Sequence, residues 1–290
     1  MQLGCHVSIS GKIFRSIDRA KALGCTAMQI FSHNPRGWKV SPLLDDNVRI
    51  FKVRLKESGL YPLVVHTSYL INLASPDDDL FEKSIDSFQV DLERARRLGA
   101  DFLVTHLGSP KGRGAEYGIK RVTGALNLIL SRTGAENVRI LLENTAGSGS
   151  MIGSDLCQIE EIINGVKENS TLGLCFDTCH GFASGYDFRD VDSLNSLVLK
   201  IDRLLGLDRL FLLHLNDSKG DLGSRIDRHE HIGKGKIGIE GFRILVNHDS
   251  LKHIPMILET PKESDEDDIK NISVVRNLRT ENVPPRKVGV

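Results

Sequence analysis

Leu172-Gly-Leu-Cys-Phe-Asp177 is an apolar run closed by a carboxylate, and Thr178-Cys-His180 follows at once. A short apolar run without polar alternation suits a parallel strand covered on both faces. Seven further runs read the same way: Leu3–Val7, Met28–Phe31, Leu63–His66, Phe102–His106, Ile140–Glu143, Leu210–His214 and Met256–Glu259. The stretches between them are amphipathic. Phe81, Ile85, Phe88, Leu92 and Ala95 fall at helical spacing and stop at Gly99, and Ile13, Ile17, Ala20 and Leu23 stop at Gly24. Arg19–Gly24 and Arg94–Gly99 also resemble each other as sequence. Eight strand–helix units predict either a barrel or an open doubly wound sheet. An open sheet that binds a dinucleotide would carry a glycine-rich turn after its first strand, and Ser8–Lys12 supplies none. The expected fold is therefore α/β, a single (β/α)8 barrel over residues 1–280, with a surface-lying tail over 281–290 that includes Asn282-Val-Pro-Pro-Arg-Lys287.

The polar residue that closes each strand is of one chemical kind. Strand three ends in His66, four in His106, five in Glu143, six in Asp177, seven in His214 and eight in Glu259. His180 follows Asp177 by one helical turn, and Asp227 and His229 lie in the long loop after strand seven. In a barrel these strand ends meet at one mouth, where active sites form. Crowded carboxylates repel and buried unpaired charges are strongly disfavoured, so divalent cations are expected there. A mixed imidazole and carboxylate set suits zinc or manganese better than calcium or magnesium, and nine ligands are too many for one ion. Several ions held together suit hydrolysis of a phosphodiester. The remaining histidines, His6, His33, His231, His248 and His253, are read as hydrogen-bonded core or surface residues. Cys175 and Cys179, on either side of Asp177, are read as core or supporting residues.

The 290 residues carry 38 basic and 38 acidic side chains, for a formal net charge of zero. No global field draws the chain to nucleic acid, so any such attraction must be local. The start Met1-Gln-Leu-Gly4 lacks the pattern of a signal peptide, and no apolar run is long enough for a membrane helix. Five cysteines without a CxxC pair fit a reducing compartment, so a cytoplasmic location is expected. No heptad seam calls for a partner chain, and a monomer is expected.

Six segments, His66-Thr-Ser-Tyr-Leu-Ile-Asn-Leu73, Leu142-Glu-Asn-Thr-Ala-Gly147, Phe176–His180, His214-Leu-Asn-Asp-Ser218, Asp227-Arg-His229 and Ile257-Leu-Glu-Thr260, together make the whole chain resemble the endonuclease IV family of zinc-dependent apurinic/apyrimidinic endonucleases. The resemblance implies three zinc ions, with manganese possible in part. His66, His106 and Glu143 would hold the first, and Glu143 would bridge to a second held by Asp177, His214 and Glu259. His180, Asp227 and His229 would hold the third. It implies a zinc-bridging hydroxide as nucleophile, oriented with help from Glu259. Cleavage would fall 5′ to an abasic site in double-stranded DNA, leaving a 3′-hydroxyl and a 5′-deoxyribose phosphate, and blocked 3′ ends would be trimmed. Arg36, Tyr69 and Leu70 match the side chains that enter the helix when the damaged nucleotide is flipped.

Basic residues in loops expected at the mouth, Lys39, Lys111, Arg113, Lys219, Arg225, Arg228, Lys234 and Lys236, are candidate phosphate contacts. Arg225 and Arg228 lead because they flank Asp227, and Gly233-Lys-Gly-Lys-Ile-Gly238 is a candidate phosphate-approaching loop. Two other readings compete. A single-manganese sugar isomerase or epimerase could use Glu143, Asp177, His214 and Glu259, but would leave five further ligand-type residues without work. A non-catalytic damage-binding protein with structural zinc would favour a closed, cysteine-rich site.

Overall fold

The eight apolar runs become the eight parallel strands of one sheet: β1 (Leu3–Cys5), β2 (Met28–Phe31), β3 (Leu63–His66), β4 (Phe102–Thr105), β5 (Arg139–Glu143), β6 (Leu172–Asp177), β7 (Leu210–His214) and β10 (Met256–Leu258). Between the last two lie β8 (Asp217–Ser218) and β9 (His229–Glu230), which form a separate small ribbon. The computed structural model describes residues 1–133 and 137–279, so the tail expected over 281–290 lies outside the described residues. Hydrogen bonding runs in the order β1-β10-β7-β6-β5-β4-β3-β2. The two ends of that order meet through a parallel bridge between His6 and Gln29, with Val7 N donating to Gln29 O at 2.7 Å. The sheet is thus rolled into a barrel.

Helices return the chain from strand to strand: α1 (Arg15–Ala22), α2 (Asp45–Ser58), α3 (Asp78–Leu98), α4 (Ala115–Thr133), α5 (Leu156–Gly165), α6 (Thr178–Ser184), α7 (Val191–Leu205), α8 (Gly238–Asn247) and α9 (Asp265–Leu278). In α3 the stripe Ile85, Phe88, Leu92 and Ala95 is fully buried, and Gly99 ends the helix with φ +77°. A left-handed residue there suits glycine, which has no Cβ to clash. Ile13 of the first stripe lies in the turn just ahead of α1.

Alternation along each strand decides what faces the axis. Leu63 and Val65 pack outward with the helices, whereas Val64 joins Ala27, Val104, Leu141, Cys175, Leu212 and Ile257 in a separate buried layer inside the barrel. Two residues further along the same seven strands stand Gln29, His66, His106, Glu143, Asp177, His214 and Glu259. A strand period of two therefore stacks a polar layer directly above an apolar one.

Candidate metal centre

The polar layer is crowded. Glu143 Oε2 lies 3.1 Å from His66 Nε2 and 3.6 Å from His106 Nε2, while its Oε1 lies 3.1 Å from His214 Nδ1 and 3.4 Å from His180 Nδ1. Glu143 and Asp177 are completely buried. Asp227 Oδ1 sits 3.1 Å from His180 Nε2 and 3.6 Å from His229 Nε2, and Glu259 Oε2 sits 3.3 Å from His214 Nδ1. The nine expected ligands fall into three groups, the first two sharing Glu143: His66, His106 and Glu143; Glu143, Asp177, His214 and Glu259; and His180, Asp227 and His229. Within each group the donor atoms lie within 4.8 Å of one another.

These residues fit divalent cations. His229 Nε2 is a buried atom without a hydrogen-bond partner among the described residues, although it points between Asp177 and Asp227. The tautomers are set from outside the cluster: His66 Nδ1 donates to Thr67 O at 2.8 Å, His180 Nδ1 to Asn144 O at 3.0 Å, and His229 Nδ1 to Glu259 O at 3.0 Å. Each leaves an Nε2 lone pair facing the carboxylates, the arrangement in which a histidine ligates a metal. Without cations, protons take their place. Burial alone would raise Glu143 and Glu259, yet the surrounding imidazoles hold both carboxyls below the usual range. Burial would likewise lower His66, His180 and His214, but the facing carboxylates raise the first two, and Cys175 together with Glu259 and Glu143 raises His214. At His106 burial wins and lowers the imidazole.

Two cysteines approach the centre. Cys179 lies close enough to Asp177 and His229 to form a fourth potential group, and Cys175 sits in the apolar layer below Asp177. Burial pushes both thiols up to about 12, so neither offers a thiolate near neutrality.

Above the cluster is an open cavity of about 480 Å³, lined by His6, Phe31, Tyr69, Met151, Thr260 and Lys262 as well as by His66, His106, His180, Asp227, His229 and Glu259. Tyr69 is 62% exposed and meets the edge of Phe31 at 4.9 Å between ring centroids. It lines the cavity above the centre. Its loop is fastened to the one carrying exposed Arg36, because Ser68 Oγ donates to Pro35 O at 2.7 Å. Asp91 of α3 accepts from Ser32 Oγ at 2.6 Å and from Ser68 N at 3.2 Å, which anchors both loops at once. Leu70 is only partly exposed.

Of the third group, α6 carries His180, and the long loop between β7 and α8 carries Asp227 and His229. Its two short strands, β8 and β9, pair antiparallel and fix His229 opposite Ser218. Between them Arg225 adopts φ +56°, held by its N–H to Ala183 O at 2.9 Å and by Ser148 Oγ to its own carbonyl at 2.6 Å. Arg225 and Arg228 are exposed and form no ion pair among the described residues, in contrast to Lys219 with Glu230 and Lys236 with Asp221.

The expectation that Gly233–Gly238 approaches a phosphate is corrected by its hydrogen bonding. The N–H groups of Gly233, Gly235 and Ile237 all donate to the buried carboxylate of Asp217, at 2.9, 2.9 and 3.0 Å. Those amides are already used. A Cβ on Gly235 would fall 2.4 Å from Ser218 O, so the turn closes only over glycine. Replacing Asp217 with alanine orphans these donors and that of Ser218. Asp217→Ala is expected to lose about 4 kcal/mol of stability in urea unfolding; a loss below about 1 kcal/mol would mean that water replaces the carboxylate.

Sequence reasoning left several contributors unassigned. Asn216 donates to Asp177 Oδ2 at 2.6 Å and accepts from Glu259 N at 2.8 Å, and Asn144 braces Asp177 N at 2.7 Å. Their positions, beside Glu143 and two residues after His214, were the available signal. Exposed Trp38, Leu222 and Ile226 add apolar surface to the loops that also carry Arg36, Arg225 and Arg228. His6, read as a core or surface residue, is hydrogen-bonded and partly buried, but its place is the wall of the cavity.

Comparison with known proteins finds relatives of the same barrel fold along nearly the whole chain. The xylose isomerase-like TIM barrel family model matches residues 17–278. A protein titled "Probable endonuclease 4" from Halothermothrix orenii is 46% identical over 279 residues, covering 96% of this chain and 99% of its own length. One with the same title from Cenarchaeum symbiosum is 47% identical over 281 residues, covering 96% and 99%. The crystal structure of endonuclease IV from Thermus thermophilus superposes with a TM-score of 0.86 at 38% identity, covering 96% of this chain and 98% of that one. A D-tagatose 3-epimerase-like protein superposes with a TM-score of 0.73 at 19% identity over 96% and 97%, a likeness of fold alone.

Proposed function

Because this chain belongs to the endonuclease IV family, we propose that it repairs DNA by hydrolysing the phosphodiester 5′ to an abasic site and trims blocked 3′ ends. The observation that carries this reading is the presence of three ligand groups at one barrel mouth, the first two sharing Glu143. We assign His66, His106 and Glu143 to one zinc ion, Asp177, His214 and Glu259 with Glu143 to a second, and His180, Asp227 and His229 to a third. Bound there, such ions supply Lewis acidity to a phosphodiester and make water acidic enough to attack it near neutral pH.

The chain's own groups do the rest. Glu259 and Asp227 reach the cavity, whereas Glu143 and Asp177 are sealed beneath it, and of the two we assign Glu259 to accept a proton from an attacking water and to orient it. Tyr69, lining the cavity above the centre, and Leu70 beside it would enter the base stack. Arg36 would approach from the adjoining loop, and Arg225 and Arg228 would meet the phosphate backbone. Because the net charge is zero, this local set must provide the attraction. The free thiols among the described residues fit a cytoplasmic enzyme, and we read the chain as a monomer.

Tyr69→Ala is expected to lower cleavage of abasic DNA by about 10- to 100-fold, the worth of one aromatic–base contact, with zinc content unchanged. A parallel loss of zinc would make the residue structural.

One specific observation favours the isomerase reading: Glu143, Asp177, His214 and Glu259 by themselves form a group suited to a single ion. Metal content separates the two. Three ions per chain are expected for the nuclease, and one would turn the assignment toward a sugar isomerase or epimerase.

A further inference from the structure

His66, His180 and His229 each have their tautomer fixed by a backbone carbonyl, but His214 does not. Its Nε2 faces Gln29 Oε1 at 2.9 Å, and its Nδ1 faces Glu143 and Glu259. Gln29 is completely buried on β2, in the same layer as the ligand residues. Its other end leaves no doubt about which way the amide points. Gln29 Nε2 lies 2.5 Å from Glu259 Oε1 and 3.0 Å from His6 Nδ1, and a carboxylate oxygen beside it demands an N–H donor. The oxygen of the amide must then face His214, where it can only accept. His214 is thereby required to carry its proton on Nε2 and to offer Nδ1 inward.

We propose that Gln29 is the positioning residue of this centre, fixing His214 as an Nδ1 ligand and Glu259 in its orientation through one buried side-chain amide. The proposal rests on the metal-centre reading above. Gln29 touches two ligands of the same ion from the closing seam of the barrel, where it also pairs with His6. Such supporting contacts set the basicity and direction of a ligand, and their loss weakens metal binding. A leucine would fill the space but neither accept from His214 nor donate to Glu259.

The test uses zinc-loaded protein with nitrogen-15 histidine. In the wild-type chain, His214 is expected to show a proton on Nε2 and a metal-shifted Nδ1, the reverse of His66, His180 and His229. In Gln29→Leu, chelator competition is expected to show one ion released about 10- to 100-fold more readily while the others stay at wild-type affinity. A wild-type spectrum with the His214 proton on Nδ1 would overturn the proposal without any variant. So would Gln29→Leu that folds and holds all its zinc as tightly as wild type. Zinc uptake with these signatures but no scission of abasic DNA would sink the nuclease reading and leave the role of Gln29 standing.

Discussion

Glu259→Gln is expected to cut turnover on an abasic duplex by about 10³-fold, or about 4 kcal/mol of barrier, while the fold and most DNA affinity persist. The substitution preserves volume and removes one negative charge. In the native chain Glu259 Oε1 accepts from Gln29 Nε2 and Oε2 faces His214 Nδ1, so both oxygens are held in place before substrate arrives. Facing imidazoles keep the carboxyl ionised at neutral pH, the state in which it can orient an attacking water and receive its proton. A glutamine there cannot take that proton. The backbone support from Asn216 to residue 259 is untouched by the change, which is why the fold is expected to survive. Single-turnover cleavage checks the first part and a gel-shift titration the second. Wild-type turnover in the variant would remove Glu259 from the chemistry.

The second large effect concerns metal removal. Chelation is expected to abolish strand scission, with recovery on adding zinc back. It is also expected to lower unfolding stability by about 2.7 kcal/mol for each site that had been held at about 100 times its dissociation constant. The metal-free protein should nevertheless remain folded. His66, His180 and His214 rise and Glu143, Asp227 and Glu259 fall in pKa, so imidazolium–carboxylate pairs replace the cations. The raised histidines stabilise the metal-free state below their unfolded pKa, and that contribution disappears as pH climbs through their folded values. The same protons compete with metal, so affinity for zinc increases over the same range. The stability gap between the loaded and stripped protein should therefore widen with rising pH. Calorimetry of both forms across pH measures it, and a gap that narrows would contradict the proton-for-metal exchange.

Much of this could be read in the chain before its folding was known, for a physical reason. Strands buried on both faces leave uninterrupted apolar runs, and a polar group at the mouth of a barrel closes such a run. His66, Asp177 and His214 each end both the run and the strand. Gln29 escaped notice because it lies inside Met28-Gln-Ile-Phe31 and is neither charged nor a common ligand. Its meaning depends on register with His6 across the barrel seam, which no local pattern encodes. The β8–β9 ribbon was also invisible, since two-residue strands have no period to detect. The glycine-rich stretch 233–238 misled for a related reason. Gly235 serves close packing against Ser218 and Asp217, and glycine content alone does not say whether amides face a phosphate or a carboxylate.

The most direct measurement is incubation of the zinc-loaded protein with a duplex carrying one abasic site, with product ends mapped at nucleotide resolution. The account predicts a single incision 5′ to the lesion that leaves a 3′-hydroxyl able to prime a polymerase. An intact strand after many equivalents of fully metallated enzyme would contradict it.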